Sequence, residues 1–432
     1  MNRVGIRRED KNIWERRTPI IPEDVKELKE KGIEFFVQPS KIRAFRDGEY
    51  AEAGAVVQDD FRACSVIFAV KEIPIDFFEK NKTYAFFSHT TKGQKHNMPM
   101  LKKIMELKSQ LIDYEKIVDE KNRRLIFFGR YAGLAGMIDT LWALGQRLKE
   151  EGTENPFAEI KQTYTYSSLE EVKNSIKKIG ENIKKKGLPE SITPLIIGVA
   201  GYGNVSKGAQ EIIDVLPVKE ITPEQVVSLQ DKDYSRKHVY KVVFKEEDIV
   251  EPVSGKFELQ DYYRHPEKYS SKFEEYLRDL TILVNAIYWD KIYPRLVTKK
   301  YLKENYGKTR LKVIGDIGCD INGAIECTGK VTEPDNPVFV YDPLTDKTTD
   351  GFKGEGVVVL AVDNLPCELP KDSSRDFSSA LKKFMPEIAK ADFSVNFDDS
   401  SLPPEIKNAV IVYHGKLTPN YIYLEKYLEG KK

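Results

Sequence analysis

Two side chains in this sequence are suited to moving protons. Lys71 follows the apolar run Ser65-Val-Ile-Phe-Ala-Val70, and His89 follows Thr83-Tyr-Ala-Phe-Phe87 after one serine. Histidine titrates near neutral pH unaided. A lysine that is partly desolvated, or close to another cation, has its pKa lowered toward a useful range. Glu72 and Glu115 could tune this pair or hold an ammonium, while Arg17, Gln94, Arg123 and Arg124 could hold carboxylates or phosphates. Taken singly, a lysine at a strand end is usually solvated and a histidine usually caps or packs, so both readings stay open on the pattern alone.

A second stretch suits a cofactor. In Pro194-Leu-Ile-Ile-Gly-Val-Ala-Gly-Tyr-Gly203, residues 195–200 read as a buried strand, too short for a helix to be favoured. Gly201 and Gly203 break the run, and residues 204–216 return to helical spacing. A strand, a glycine turn and a helix, in that order, are what a dinucleotide pyrophosphate site requires. Gly201 permits the tight turn, Gly203 lets the backbone approach the phosphates, and the helix N-terminus presents free N–H groups. The third glycine of the usual spacing is missing: Ser206 stands there, and the next glycine is Gly208. Glu220 lies 19 residues after Gly201, at the expected end of the second strand. An acidic group there accepts from the adenosine ribose 2′-OH and repels a 2′-phosphate. The plainer alternative is an ordinary strand-to-helix turn.

Other apolar runs end in polar groups in the same way. Leu111-Ile112 leads to Asp113-Tyr-Glu115, Ile282-Leu-Val284 to Asn285, and Val313-Ile-Gly315 to Asp316. In open parallel sheets, ligands bind beyond the carboxyl ends of the strands. The alternation of strand and helix signals predicts an α/β protein with two Rossmann-like domains, their parallel sheets separated by a cleft. The expected divisions are an N-terminal substrate and catalytic domain over 1–130, connecting helices over 131–190, and a dinucleotide-binding domain over 191–360. A C-terminal return over 361–432 should pack on, and complete, the N-terminal domain. Among single elements, the pattern predicts a strand over 124–128, a long helix over 131–149, an ordered insertion loop over 260–269 and a helix over 378–391.

Composition narrows the function classes. Across 432 residues, lysine plus arginine balances aspartate plus glutamate at 68 each, which argues against nucleic acid or a membrane surface as the main partner. No apolar run approaches a membrane span, and the first ten residues lack a signal-peptide core. Cys64, Cys319, Cys327 and Cys367 have no paired spacing and the five histidines are scattered, so no metal site is expected and a reducing cytoplasm fits the free thiols. An organellar matrix is the other compartment considered, and a homo-oligomer is possible.

Several collinear motifs together resemble the lysine–2-oxoglutarate reductase family, the saccharopine-forming enzymes, often found as the N-terminal half of a bifunctional lysine-degradation protein. They are Glu15-Arg-Arg-Thr-Pro19, Val70-Lys-Glu72, Tyr84-Ala-Phe-Phe-Ser-His89, Ile112-Asp-Tyr-Glu115, Phe128-Gly-Arg-Tyr-Ala-Gly133, Gly203-Asn-Val-Ser-Lys-Gly-Ala209, Asn285-Ala-Ile-Tyr-Trp289 and Asp363-Asn-Leu-Pro366. More distantly the chain resembles lysine-forming saccharopine dehydrogenase and alanine dehydrogenase. The resemblance implies that lysine, 2-oxoglutarate and NADPH or NADH give saccharopine. It implies Lys71 and His89 as acid/base groups, Arg17, Gln94, Glu115, Arg124 and Phe128 at the substrates, and Arg123 at the cofactor. It places Gly201, Tyr202, Gly203, Asn204, Val205, Asn285, Asp316 and Ile317 in the dinucleotide loops. Gly318-Cys319 departs from the family's usual Ser-Ala, and Glu220 is unexpected in an NADPH enzyme. The end near Lys432 implies a stand-alone reductase. Within the same class, a lysine-forming saccharopine dehydrogenase or an alanine-dehydrogenase-like enzyme is the alternative; from another class, a dinucleotide-binding regulatory protein without catalysis.

Overall fold

The computed structural model describes residues 2–228 and 234–428. The chain forms two compact units: residues up to Phe128 together with those from Pro370 onward, and Gly129–Leu369. In chain order the strands are β1 (Asn2–Ile6), β2 (Ile33–Val37), β3 (Val56–Val57), β4 (Val66–Phe68), β5 (Thr83–Phe86), β6 (Gln110–Asp113), β7 (Leu195–Ala200), β8 (Val218–Glu220) and β9 (Val239–Phe244). There follow β10 (Val250–Pro252), β11 (Tyr269–Ser271), β12 (Ile282–Asn285), β13 (Val313–Asp316), β14 (Val338–Asp342), β15 (Lys347–Asp350), β16 (Val357–Leu360), β17 (Val410–Tyr413) and β18 (Lys416–Leu417).

The first unit is an α/β layer with strand order β18-β17-β6-β5-β4-β1-β2-β3. From β6 to β3 the pairings are parallel; β17 joins β6 antiparallel and turns back through β18. Its central strands are short apolar runs with every residue of β4 and β5 buried, as a parallel sheet covered on both faces requires. The C-terminal return is bound into this unit. The helix Pro370–Leu381 puts Phe377 and Leu381 into the core that holds Val4, Phe68 and Phe86. Ser374 Oγ accepts from the Thr18 N–H at 3.0 Å and Ser378 Oγ from the Ile21 N–H at 3.1 Å.

The second unit has strand order β15-β14-β16-β13-β12-β7-β9-β8, parallel except for β14 and β15. β7 lies inside the sheet and all six of its residues are buried. The helix Gly129–Glu150 crosses the helix Asn204–Ile213 at glycine distance. A Cβ at Gly133 would lie 1.8 Å from the Val205 carbonyl oxygen, and one at Gly208 would lie 2.0 Å from that of Arg130. Gly208 therefore supplies close packing, but against a neighbouring helix rather than the sheet.

The parallel-dominated α/β class is as expected, and several local elements are not. Residues 124–128 form no strand. Arg124 makes one isolated bridge to Val118, while Ile126 is buried in the core: the apolar pattern reports burial rather than a ladder. The helix expected over 378–391 is two, Pro370–Leu381 and Met385–Lys390. Pro386 lies in the first turn of the second, where its missing N–H costs nothing and its ring opposes helix on its N-terminal side. The insertion over 260–269 is not a loop: it carries the helix Leu259–Arg264 and begins β11, which pairs with β10.

Candidate active site

The carboxyl ends of β5 and β4, neighbours in the first sheet between β6 and β1, carry the two proton-transfer candidates. Lys71 and Glu72 follow β4, His89 follows β5, and Glu9 follows β1. His89 adopts φ +48°, a left-handed conformation that costs a non-glycine residue energy and turns the chain just past the strand. Its Nδ1 lies 2.6 Å from Glu72 Oε1, and its carbonyl accepts from Asn97 Nδ2 at 3.1 Å. Burial pushes the Glu72 carboxyl up, but the hydrogen bond and charge of His89, with help from Lys11, outweigh it and hold it down to about 2.

Lys71 is half-buried, and among the described residues no carboxylate lies within ion-pair reach of its ammonium. Desolvation lowers its pKa first, and the Arg17 charge lowers it further. The Lys71 backbone is fixed from below: the N–H groups of Val70 and Lys71 donate to Glu9 at 2.7 and 2.9 Å. Burial, then the nearby Glu15, pushes the Glu9 carboxyl up to about 7.

Arg17 is buried, with Nε 2.7 Å from Glu15 Oε1 and Nη2 2.5 Å from Oε2. Its guanidinium lies 4.1 Å from the centre of the Phe128 ring. Phe128 stacks on Phe377 at 4.6 Å and touches Phe87 at 6.0 Å, and Phe87 lies parallel to the His89 ring. An aromatic row thus links the buried Glu15–Arg17 pair to the His89–Glu72 pair.

The other expected substrate residues, and Arg123, expected at the cofactor, have partners within the first unit. Arg124 pairs with Glu115, Arg123 pairs with Asp119 at 2.6 Å on the surface, and Gln94 accepts from the Lys92 N–H at 3.1 Å. The sequence pattern does not single out Glu9, Glu15 or Phe377 as site residues. Glu9 was findable, because it follows a strand end like the others; Phe377 was not, because its partners lie some 250 positions away in sequence.

In the second unit, the turn after β7 has the form expected of a dinucleotide loop. Gly201 takes φ +97°, and a Cβ there would meet the Ala286 carbonyl oxygen at 2.9 Å. Gly203 is the N-cap of the helix Asn204–Ile213; no side chain caps that end, and a Cβ at Gly203 would meet nothing within 4 Å. Asn204 and Val205 form the first turn of that helix. The backbone is thus open where a phosphate must approach, and the donor set suits an anion. Asn285 and Asp316 end adjacent strands, with Asn285 Nδ2 donating to Asp316 Oδ1 at 2.7 Å and Thr328 Oγ1 to Oδ2 at 2.5 Å. Burial pushes the Asp316 carboxyl up to about 6. Ile317, which follows Asp316, packs against Gly136 of the long helix.

A cavity of about 480 Å³ opens beside this turn, lined by Gly201, Tyr202 and Gly203 together with Phe244, Glu246, Tyr262, Tyr263 and Trp289 among others. Glu220 does not line it, and its expected position needs correction. β8 is the edge strand, and β9 lies between it and β7. Glu220 is consequently one strand too far out, and its Oε1 lies 2.7 Å from Lys241 Nζ. The strand that follows the helix in sequence is not the strand that follows β7 in space.

The comparisons with known proteins agree with this architecture. Residues 5–135 match the family model "Alanine dehydrogenase/PNT, N-terminal domain". Residues 198–420, more than half of the chain, match "Alanine dehydrogenase/PNT, C-terminal domain". The chain is 39% identical to the alpha-aminoadipic semialdehyde synthase of Arabidopsis thaliana over 98% of its own length but 41% of that protein's. It is 28% identical to the saccharopine dehydrogenase [NAD(+), L-lysine-forming] of Emericella nidulans, over 88% of this chain and 90% of that one. Among solved structures, an L-alanine dehydrogenase matches with a TM-score of 0.63 at 18% identity, covering 99% of each chain, which is a likeness of fold. The chain spans less than half the length of the semialdehyde synthase it matches. With one family model covering more than half its residues and a second covering the N-terminal part, the chain belongs to the alanine dehydrogenase/PNT family.

Proposed function

We infer that this protein is a nicotinamide-dependent oxidoreductase that condenses L-lysine with 2-oxoglutarate and reduces the imine to saccharopine. The observation that carries the reading is the Lys71, Glu72 and His89 cluster at neighbouring strand ends, with the buried Glu15–Arg17 pair joined to it. The names of its relatives point to the same chemistry, one naming saccharopine, NAD(+) and L-lysine.

Imine formation needs a proton removed from the attacking amine and another delivered to the departing hydroxyl. Lys71, held toward its neutral form by desolvation and by Arg17, takes the first. His89, oriented by Glu72, delivers the second. Arg17 and Arg124 have glutamate partners, Glu15 and Glu115, and the carboxylates of the oxo acid compete with these for the guanidinium groups. The turn Gly201–Gly203 and the first turn of the helix Asn204–Ile213 hold the dinucleotide pyrophosphate, with Asn285, Asp316 and Ile317 at the adjoining strand ends. The bound cofactor supplies a hydride.

The test is the absorbance of the reduced nicotinamide with lysine and 2-oxoglutarate supplied together and singly. Oxidation that requires both, and that falls by 10²-fold or more in Lys71→Met and His89→Gln with dinucleotide binding unchanged, supports the reading. Full rate in both variants removes the two residues from the mechanism. Turnover of alanine or saccharopine alone moves the protein to a sister activity. Binding without turnover of any of these leaves a regulatory dinucleotide-binding protein.

A further inference from the structure

The sheet order that displaces Glu220 brings another carboxylate to the place it was expected to fill. β9 runs parallel beside β7, with Phe244 opposite Ala200 and the Gly201 N–H donating to the Phe244 carbonyl at 2.9 Å. Two residues beyond the end of β9 stands Glu246, which lines the same cavity as Gly201, Tyr202 and Gly203. In the usual strand order 3-2-1-4, the glycine strand has two neighbours, and the group at the carboxyl end of the one on the side away from the fourth strand faces the adenosine ribose. Here that strand is β9, reached only after the chain has gone out to β8 and back.

The geometry points to Glu246 as the residue that sets cofactor preference, accepting from the ribose 2′-OH and so selecting NAD(H) over NADP(H). The assignment rests on the proposed dinucleotide site and adds the choice between the two dinucleotides. Among the described residues lining the cavity, Glu246 is the single charged one; no lysine or arginine lines it. A 2′-phosphate would bring nearly two negative charges toward this carboxylate with no cation in the wall to offset them. A 2′-hydroxyl brings a donor to an acceptor. The Tyr263 hydroxyl donates to Glu246 Oε1 at 2.6 Å, which orients the carboxylate and leaves it further acceptor capacity. The wall around it is aromatic, formed by Tyr202, Tyr262, Tyr263, Tyr288 and Trp289. Such a wall suits a flat base and offers nothing that would compensate a phosphate.

The experiment is a binding titration of the full chain, independent of turnover, with NADH, NADPH and 2′,5′-ADP as probes. Energy transfer from Trp289 to the reduced nicotinamide gives the readout for the first two, and calorimetry gives it for the third. The wild type should bind NADH at least tenfold more tightly than NADPH, with no measurable 2′,5′-ADP binding. Glu246→Gln should shrink that ratio about tenfold by tightening NADPH, while retained NADH binding shows that the variant is folded. Glu220→Gln, on the edge strand, should leave the ratio unchanged. Equal or tighter NADPH binding by the wild type overturns the assignment, as does a ratio that moves with Glu220 and not with Glu246. NADH binding with the expected ratio, but without turnover of lysine and 2-oxoglutarate, upholds Glu246 and sinks the proposed reaction instead.

Discussion

The carboxylate of Glu72 lies 2.6 Å from Nδ1 of His89. Held down to about 2, that carboxylate is ionised near neutral pH and can only accept. Nδ1 therefore carries the hydrogen, and Nε2 is the ring nitrogen left for exchange with a substrate. A strained backbone at His89, φ +48°, is the local cost of turning the ring to this position.

Glu72→Gln should keep a hydrogen-bond partner at His89 but remove its charge. An amide can also present its N–H to the ring and so permit the other tautomer, and the nitrogen left for the substrate is then no longer fixed. kcat should fall about 10–100-fold. A kcat equal to that of the wild type would remove Glu72 from this role.

Glu9 predicts a pH-dependent stability. Its carboxyl is raised from 4.5 to about 7 in the folded chain, mainly by burial. Between those values the native state holds a proton that the unfolded chain has released, so stability from this residue is greatest at low pH and declines as pH rises to about 7. The decline is on the order of 3 kcal/mol. Glu9→Gln cannot titrate and should flatten the change in urea midpoint between pH 5 and pH 8. An unchanged slope would show that Glu9 ionises normally.

Phe377 links stability to the site. It is buried, stacked on Phe128, and Phe128 carries the Arg17 guanidinium. Phe377→Ala should cost about 3–5 kcal/mol in chemical denaturation. It should also raise KM for 2-oxoglutarate more than KM for lysine, because the ring that positions Arg17 loses its support. Phe377→Leu should recover most of the stability; a KM that recovers no further would detach the stack from substrate binding.

Two glycines should separate packing from ligand binding. Gly133→Ala drives a methyl to 1.8 Å from the Val205 carbonyl oxygen, so the two helices must part and the protein should be strongly destabilised or insoluble. Gly203→Ala meets nothing within 4 Å, and its backbone φ of −74° suits alanine, so stability should change by less than about 0.5 kcal/mol. The added methyl enters the space left for phosphate, and dinucleotide affinity should fall at least tenfold. Circular dichroism melts beside a cofactor titration distinguish the two cases.

Features that depend on neighbours along the chain are legible without the fold. The apolar run 195–200, its two glycines and the helical spacing after them specify a strand, a turn and a helix, because backbone freedom and periodicity are local properties. The same holds for the strand ends that deliver Lys71, His89, Asn285 and Asp316. Tertiary structure decided what depends on strand order and on distant partners. Glu220 ends β8 and Glu246 follows β9, and no local signal says which of the two strands lies beside β7; sheet pairing over residues 195–244 does. Residues 124–128 are apolar enough for a strand but find no partner beyond one bridge, because a ladder needs a neighbouring edge and a core needs only contact. The stack of Phe128 on Phe377 joins residues 249 positions apart, a relation that appears only once the C-terminal return is folded onto the first unit.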